Sequence, residues 1–134
     1  MRPDGVSVGG GAPVERILLV DDEMSSAEVL ALVLASEGYE VTVAADGHQA
    51  ISRLMEAEPH VLITDFMMPG MNGADLVHAV RQMERFAGLP IMMISGAPES
   101  ALRGYGAQYD VFLRKPFGLD EFLGALQALR PRAR

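Results

Sequence analysis

Short apolar runs alternate with longer amphipathic segments along most of the chain. Four of the runs are continuous, as in strands buried on both faces of a sheet, and a fifth places Val and Ala at every second position. These five runs are ILLV (17–20), YEVTVAA (39–45), VLIT (61–64), IMMIS (91–95) and VFLR (111–114). Apolar residues recur at helical spacing between and after them. The alternation predicts βαβ units, and hence an α/β fold with a parallel sheet and helices on both faces.

Local signals predict where the helical segments begin and end. Ser25 or Ser26 is expected to cap the first helix, and Gly38 to end it. Asp46-Gly47 predicts a turn before the second helix. Asn72 is expected to cap the third.

The segment between the fourth and fifth strands is a weak helix former. Gly104 and Gly106 each cost about 1 kcal/mol in a helix interior relative to Ala. Glu99 to Tyr105 makes roughly two turns, too short to be stable alone. We therefore predict a short or irregular fourth helix that is poorly protected and able to rearrange.

Composition narrows the possible functions. The chain has 134 residues, 49% of them hydrophobic, which is enough for the core of one domain. The formal net charge of −7 argues against direct nucleic-acid binding, which needs a basic face. With no cysteine, disulfides and thiolate metal sites are excluded, and a cytoplasmic location is expected. No apolar run is long enough to predict a membrane span.

The chain ends are expected to be tails around one folded unit. Residues 1–14 are rich in glycine and are predicted to be flexible, since they lack large apolar side chains. Their glycines precede the first strand, which argues against a phosphate-binding loop. We expect one domain over residues 15–130 and a short C-terminal tail over 131–134.

Polar side chains directly follow four of the five predicted strands. They are Asp21-Asp22-Glu23 after the first strand, Asp65 after the third, Ser95 at the end of the fourth and Lys115 after the fifth. Each alone is typical of a cap, a turn or the surface. Because the carboxyl ends of parallel strands share one edge of a sheet, we expect the whole set to meet there.

The chemistry of this set suits a metal ion and a phosphoryl group. Clustered carboxylates without His or Cys favour Mg²⁺, which would offset their mutual repulsion. An ionised Asp beside Mg²⁺ is a competent nucleophile toward phosphorus. A Lys ammonium and a Ser hydroxyl can stabilise charge on the transferred oxygens.

At these motifs the sequence resembles the response-regulator receiver domains of two-component signalling, of the chemotaxis-type single-domain kind. The matching stretches are VDDE (20–23), TDFMMPGMNG (64–73), ISG (94–96) and FLRKPF (112–117). The resemblance implies a doubly wound five-stranded sheet of flavodoxin-like order 2-1-3-4-5.

The resemblance also implies a metal site and an acceptor. Asp65 matches the phosphorylated aspartate. Asp22 and Asp65 match direct Mg²⁺ ligands, together with the backbone carbonyl of Met67, and Mn²⁺ could replace Mg²⁺. Asp21 matches the acid that holds a metal-bound water, whereas Glu23 is better explained by its place at a helix start.

Three further residues match the family's switch. Lys115 corresponds to the lysine that pairs with the phosphoryl group. Ser95 corresponds to the hydroxyl that moves toward that group, and Phe112 to the aromatic residue that turns inward with it.

The implied function is a stand-alone phosphoacceptor. A phosphohistidine on a sensor kinase or a histidine phosphotransfer protein would be the donor, and a downstream protein the target. The expected state is a monomer or a weak phosphorylation-dependent dimer that catalyses only its own phosphorylation and dephosphorylation.

Three alternatives remain. One is a phosphorylation-independent interaction module, and another is a receiver fragment of a longer hybrid kinase. A Mg²⁺-dependent phosphatase with an Asp nucleophile is disfavoured, because its usual DxD arrangement is absent after the first strand.

Overall fold

The computed structural model describes residues 15–129 of the chain. The expected tails at 1–14 and 131–134 lie outside this range. Five strands form one sheet in which every neighbouring pair is parallel. They are β1 (Arg16–Val20), β2 (Glu40–Ala44), β3 (Val61–Asp65), β4 (Ile91–Ser95) and β5 (Val111–Arg114). Their order is β2-β1-β3-β4-β5, which confirms the expected doubly wound topology.

Helices cover both faces of the sheet. The four α-helices are α1 (Met24–Ser36), α2 (Gly47–Ala57), α3 (Gly73–Gln82) and α4 (Leu119–Leu129). There are also two 3-10 segments, η1 (Glu84–Phe86) and η2 (Glu99–Tyr105). Helices α1 and α4 pack on one face, while α2, α3 and η2 pack on the other. The segment η2 confirms the prediction of a short, irregular fourth helix.

The sheet separates two apolar clusters, so its central strands are buried on both faces. All five residues of β3 and all five of β4 are buried. Met92 packs in the cluster beneath α1 and α4, and Met93 packs in the opposite one. The two methionines are therefore core residues on alternate faces of β4.

The start of α3 follows its prediction. Asn72 Oδ1 accepts from the backbone N–H of Asp75 at 2.8 Å, and Asp75 Oδ2 accepts from the N–H of Asn72 at 3.2 Å. This reciprocal capping box satisfies two backbone donors that would otherwise lack a helical partner.

The predicted starts of α1 and α2 were wrong. Helix α1 begins at Met24 and takes Glu23 as its N-cap residue, without a side-chain cap bond. Ser26 instead donates from Oγ to Glu23 Oε1 at 3.1 Å. Asp46 is not a turn residue but the N-cap of α2, where its Oδ1 accepts from the N–H of Gln49 at 2.8 Å.

The end of α1 is as expected. Gly38 follows the helix with φ at 96°, a left-handed conformation that residues with a Cβ rarely adopt. Within residues 15–129, no helix is long and apolar enough to cross a membrane.

Candidate functional site

Backbone hydrogen bonds extend the sheet just beyond the strand ends and fix the residues there. The N–H of Asp21 donates to the carbonyl of Ala44 at 3.1 Å, and the N–H of Lys115 donates to that of Ser95 at 2.8 Å. Asp65 closes β3 opposite Ile94 of β4. Strand pairing thus holds the side chains singled out in the sequence at one edge of the sheet.

Three carboxylates converge at this edge. One oxygen from each of Asp21, Asp22 and Asp65 lies within 4.8 Å of the other two. Asp21 and Asp65 are buried, whereas Asp22 is exposed. Asp21 Oδ1 also accepts from the N–H of Glu23 at 2.9 Å. The cluster therefore has two buried members and one open to solvent.

Lys115 supplies the positive charge that meets this cluster. Its Nζ lies 2.9 Å from Asp65 Oδ1. Among the described residues, that fully buried oxygen makes no well-directed hydrogen bond, so the ion pair with Lys115 is its main compensation. A buried carboxylate whose pKa is shifted by burial and by charged neighbours is a candidate functional position.

The pKa shifts of Asp65, Asp21 and Lys115 reflect opposing effects of burial and of charged neighbours. Burial raises the pKa of Asp65, and the charges of Asp21 and Asp22 add to the rise, against the opposing effect of Lys115. Burial also raises the pKa of Asp21, while its hydrogen bond from Glu23 and the charge of Lys115 act to lower it. Burial acts to lower the pKa of Lys115, but its contact with Asp65 and the nearby acidic charges outweigh this and raise it.

Ser95 ends β4, next to the residue that pairs with Asp65, and Phe112 lies on β5 opposite Met93 of β4. Ser95 is fully buried, and its Oγ accepts from the N–H of Ala97 at 3.0 Å. Phe112 is half-buried on β5, with its ring 6.3 Å from that of Tyr109. The Ser95 hydroxyl therefore already has a partner at the start of the segment that leads into η2.

Met67 lies in the loop between β3 and α3. It follows Asp65 by two residues, and its side chain is 64% exposed. The loop thus turns the Met67 side chain toward solvent two residues after Asp65.

The sequence did not predict how closely the backbone at the start of α3 approaches the end of β3. Gly73 opens α3, and a Cβ added there would lie 2.5 Å from the carbonyl oxygen of Asp65 and 2.8 Å from Phe66 Cα. The only signal in the sequence was a glycine directly after the Asn72 cap. Its absent side chain lets α3 begin directly against the loop that follows β3.

A groove opens beside the cluster, and this too was not foreseen. It has a volume of about 550 Å³ and runs between α1 and the loop that leads to α4. Besides Asp21, Asp65 and Lys115, it is lined mainly by short polar and apolar side chains, among them Ser25, Ser26, Val29, Leu30, Pro116, Phe117 and Leu119.

The donor set fits a hard divalent cation. All three side chains offer carboxylate oxygens, and no His of residues 15–129 joins the cluster. Such a set favours Mg²⁺ or Mn²⁺ over softer metals, and the exposure of Asp22 leaves room for the waters that Mg²⁺ retains.

Comparison with known proteins decides the family. Residues 17–127 match the family described as response regulator receiver domain. The chain belongs to that family. Receiver domains are signalling modules of two-component systems, and phosphorylation and Mg²⁺ binding are typical of them. The resemblance drawn from the four motifs is thereby confirmed.

Individual relatives place the receiver domain in context. It is 35% identical over 116 residues to the DNA-binding response regulator MtrA of Mycobacterium tuberculosis, covering 85% of this chain and 50% of MtrA. The chain thus spans about half the length of that relative. The solved chemotaxis response regulator CheY4 of Vibrio cholerae is 34% identical, with a TM-score of 0.81 over 87% of this chain and 99% of CheY4.

A third relative was solved with ligands. The response regulator TrrA of Thermotoga maritima, in complex with Mg²⁺-BeF, is 27% identical with a TM-score of 0.78. The match covers 87% of this chain and 99% of TrrA.

Proposed function

We propose that this receiver domain accepts a phosphoryl group on Asp65 in a Mg²⁺-dependent reaction and that phosphorylation changes its binding to a downstream protein. The donor would be a phosphohistidine on a sensor kinase or a histidine phosphotransfer protein, in the cytoplasm. The observation that carries the proposal is the buried Asp65 carboxylate, paired with Lys115 and flanked by Asp21 and Asp22.

Asp65 has the properties of a nucleophile toward phosphorus. Its buried carboxylate has a raised pKa, so its oxygens are more basic than those of an ordinary aspartate. A carboxylate oxygen of Asp65 attacks phosphorus and forms an O–P bond. The P–N bond to the donor imidazole breaks, and its electron pair stays on the imidazole nitrogen. The product is an aspartyl phosphate.

The neighbouring acids would hold the cation. Asp22 and Asp65, with the backbone carbonyl of Met67, would bind Mg²⁺ directly, and Asp21 would hold one of its waters. When bound, the cation neutralises charge on the phosphoryl oxygens and on the carboxylates. The exposed Asp22 keeps this position accessible from solvent.

Lys115 and Ser95 would stabilise the product. Lys115 Nζ, now 2.9 Å from Asp65 Oδ1, can move its contact to a phosphoryl oxygen. Ser95 can donate its hydroxyl proton to another such oxygen, because its contact with the N–H of Ala97 uses only an acceptor site of Oγ. Phe112 would then turn inward.

The groove beside Asp65 supports a protein as the donor. Val29 and Leu119 present apolar side chains there that are 58% and 50% exposed. An amphipathic helix that carries the phosphohistidine would cover these side chains and exclude water from the reacting atoms.

The output is proposed to be protein binding. MtrA is described as DNA-binding, and this chain corresponds to half its length. The net charge of −7 leaves this region itself poorly suited to phosphate backbones. The phosphorylated receiver domain would therefore act through a partner domain or through weak self-association.

The test is phosphorylation by acetyl phosphate, followed by intact mass. With Mg²⁺ we expect the mass of one added phosphoryl group, and with excess chelator we expect none. Asp22→Asn should slow the reaction at millimolar Mg²⁺, whereas Glu56→Gln, which changes an exposed acid on α2, should not. Equal labelling with and without chelator would rule out the mechanism, and no labelling in Mg²⁺ would favour a phosphorylation-independent module.

A further inference from the structure

The 3-10 segment η2 is lightly held against the rest of the domain. Of its seven residues only Leu102 is buried. Two side-chain hydrogen bonds lie at its N-terminal side: Ser95 Oγ accepts from the N–H of Ala97, two residues before η2, and Tyr109 donates from its hydroxyl to Oε2 of Glu99, the first residue of η2, at 2.8 Å. A segment with so few attachments can change conformation at little cost.

Tyr105, the last residue of η2, contacts the loop that follows Asp65. Its ring stands edge-on to that of Phe66, with ring centroids 5.1 Å apart and an interplanar angle of 69°. Aromatic pairs in this arrangement attract one another beyond the area that they bury. Phe66 is the residue directly after Asp65, so the contact begins one residue from the proposed acceptor.

The backbone of Phe66 is held from both sides. Its N–H donates to the carbonyl of Ile94 at 2.7 Å, and its carbonyl accepts from the N–H of Gly73 at 2.8 Å. The Phe66 ring is nearly buried, at 6% exposure. A shift of the backbone at Asp65 would therefore move the Phe66 ring against Tyr105 instead of being absorbed by a loose loop.

The other end of Tyr105 is fixed to α3. His78 donates from Nε2 to the Tyr105 carbonyl at 2.7 Å, and Gly106 follows with φ at 66°. The Tyr105 ring itself is 47% exposed and borders an open groove beside Met67 and Asn72. The backbone is thus anchored while the ring has space to move.

From this geometry we infer that the Phe66–Tyr105 ring contact couples occupancy of the Asp65 site to the conformation of η2. This route runs on the side of the sheet covered by α2 and α3 and does not pass through Ser95 or Phe112. The inference rests on the proposed function, since it requires a group that binds at Asp65. Coupling is reciprocal, so a change in this contact must also alter affinity at Asp65.

The test compares amide exchange in η2 with and without Mg²⁺ and beryllofluoride, a phosphoryl mimic. In the wild type we expect exchange over residues 99–106 to change by about fivefold or more, the lower end of ordinary allosteric couplings. Tyr105→Phe keeps the ring and should keep the response. Tyr105→Leu removes the ring and should lose most of the exchange response. Phe66→Leu removes the partner ring without altering the sequence of η2, and it should lose as much of the response.

Two further variants make the result specific to the ring pair. The double variant Phe66→Leu/Tyr105→Leu should lose no more of the response than either single variant, because each substitution removes the same ring contact. Tyr109→Phe removes the hydrogen bond to Glu99 and should leave the response intact. A full response in Phe66→Leu, or additive losses in the double variant, would overturn the inference.

Binding at Asp65 is followed separately by fluorine NMR of beryllofluoride and by the mass after acetyl phosphate treatment. A wild type that binds the mimic while η2 stays unchanged overturns the inference alone. A wild type that neither binds it nor gains a phosphoryl group refutes the proposed function, and the inference fails with it.

Discussion

Asp65 combines burial, a raised pKa and a single close cation, and each follows from its place at the end of β3. The strand is buried on both faces, so its last side chain enters the site with little access to water. Lys115 reaches it from the far side of β4, where β5 ends. Burial and the neighbouring acids outweigh the Lys115 ammonium, so the pKa of this carboxylate is raised.

Replacing Lys115 tests whether its ammonium stabilises the charge that develops during phosphoryl transfer. Loss of one preorganised donor to a developing charge costs about a hundredfold or more in comparable sites. We expect Lys115→Ala to slow acetyl phosphate labelling by a factor of that order. Lys115→Arg should also be impaired, because the planar guanidinium cannot occupy the position of a compact ammonium.

Arg103→Ala is the matched control for charge. Arg103 is exposed on η2, so its loss changes the net charge by the same amount without touching Asp65. We expect labelling of this variant at the wild-type rate. A Lys115→Ala variant that is labelled as fast as Arg103→Ala would contradict the role given to Lys115.

The raised pKa of Asp21 predicts a pH-dependent loss of stability in metal-free protein. A carboxyl whose folded pKa lies above its unfolded value of 3.8 stabilises the fold fully below that value. This contribution is lost as the pH rises through the folded pKa. Asp21→Asn cannot ionise, so with chelator present its free energy of unfolding should exceed that of the wild type increasingly as the pH rises from about 4 through the folded pKa of Asp21.

Denaturant unfolding across that pH range measures the difference. Added Mg²⁺ should stabilise the wild type more than the variant, because Asp21 belongs to the carboxylate cluster. A variant that is less stable than the wild type at neutral pH without metal would show that ionised Asp21 supports the fold.

Among the secondary-structure elements, α3 depends on the absence of a side chain at Gly73. An added Cβ would lie under 3.0 Å from the Asp65 carbonyl oxygen, Phe66 Cα and Met93 Sδ. The first two of these are backbone atoms that the sheet holds in place. We expect Gly73→Ala to lower the free energy of unfolding by about 1–3 kcal/mol, as overpacking usually does, and to slow phosphorylation by displacing Asp65.

Gly124→Ala is the matched substitution on α4. A Cβ at Gly124 meets nothing within 4 Å, and the residue is exposed within the helix. The Gly124→Ala substitution should raise the free energy of unfolding by about 0.5–1 kcal/mol through helix propensity alone. If denaturant unfolding shows both glycine variants to be equally stable, close packing at Gly73 is not the reason for its glycine.

The segment η2 should be the least protected of the named elements in the unliganded domain. It has one buried residue, Leu102, and side-chain hydrogen bonds from Tyr109 to Glu99 and from His78 to the Tyr105 carbonyl hold its two ends. We expect its amides to exchange faster than those of α2 or α3 under identical conditions. Protection equal to that of α3 would contradict the assignment of η2 as a mobile element.

The strands, the end of α1 and the start of α3 were predictable because the signals were local. Each apolar run predicts a strand, and Asn72 predicts the start of α3, from only a few neighbouring residues. The start of α1 was not predictable, since Glu23, Ser25 and Ser26 are all suitable cap residues and only tertiary packing chooses among them. Asp46 was mistaken for a turn residue because an Asp-Gly pair serves turns and helix starts equally well.

For the molecule as a whole, the location of the site followed from topology. Parallel strands end at one edge, so Asp21, Asp65, Ser95 and Lys115 could be brought together without coordinates. The burial of each group, the ion pair to Asp65 and the Phe66–Tyr105 contact were not predictable. They depend on how side chains distant in sequence pack, for which neither periodicity nor motif gives a signal.

The most direct test of the account is to locate the phosphoryl group. Wild type, Asp65→Asn and Asp22→Asn are treated with acetyl phosphate and Mg²⁺, and the products are analysed by intact mass and peptide mapping. We predict a single phosphoryl group on the wild-type peptide that contains Asp65, slower labelling of Asp22→Asn, and none on Asp65→Asn. Labelling of Asp65→Asn at the wild-type level, or a phosphoryl group mapped to another residue, would contradict the central claim.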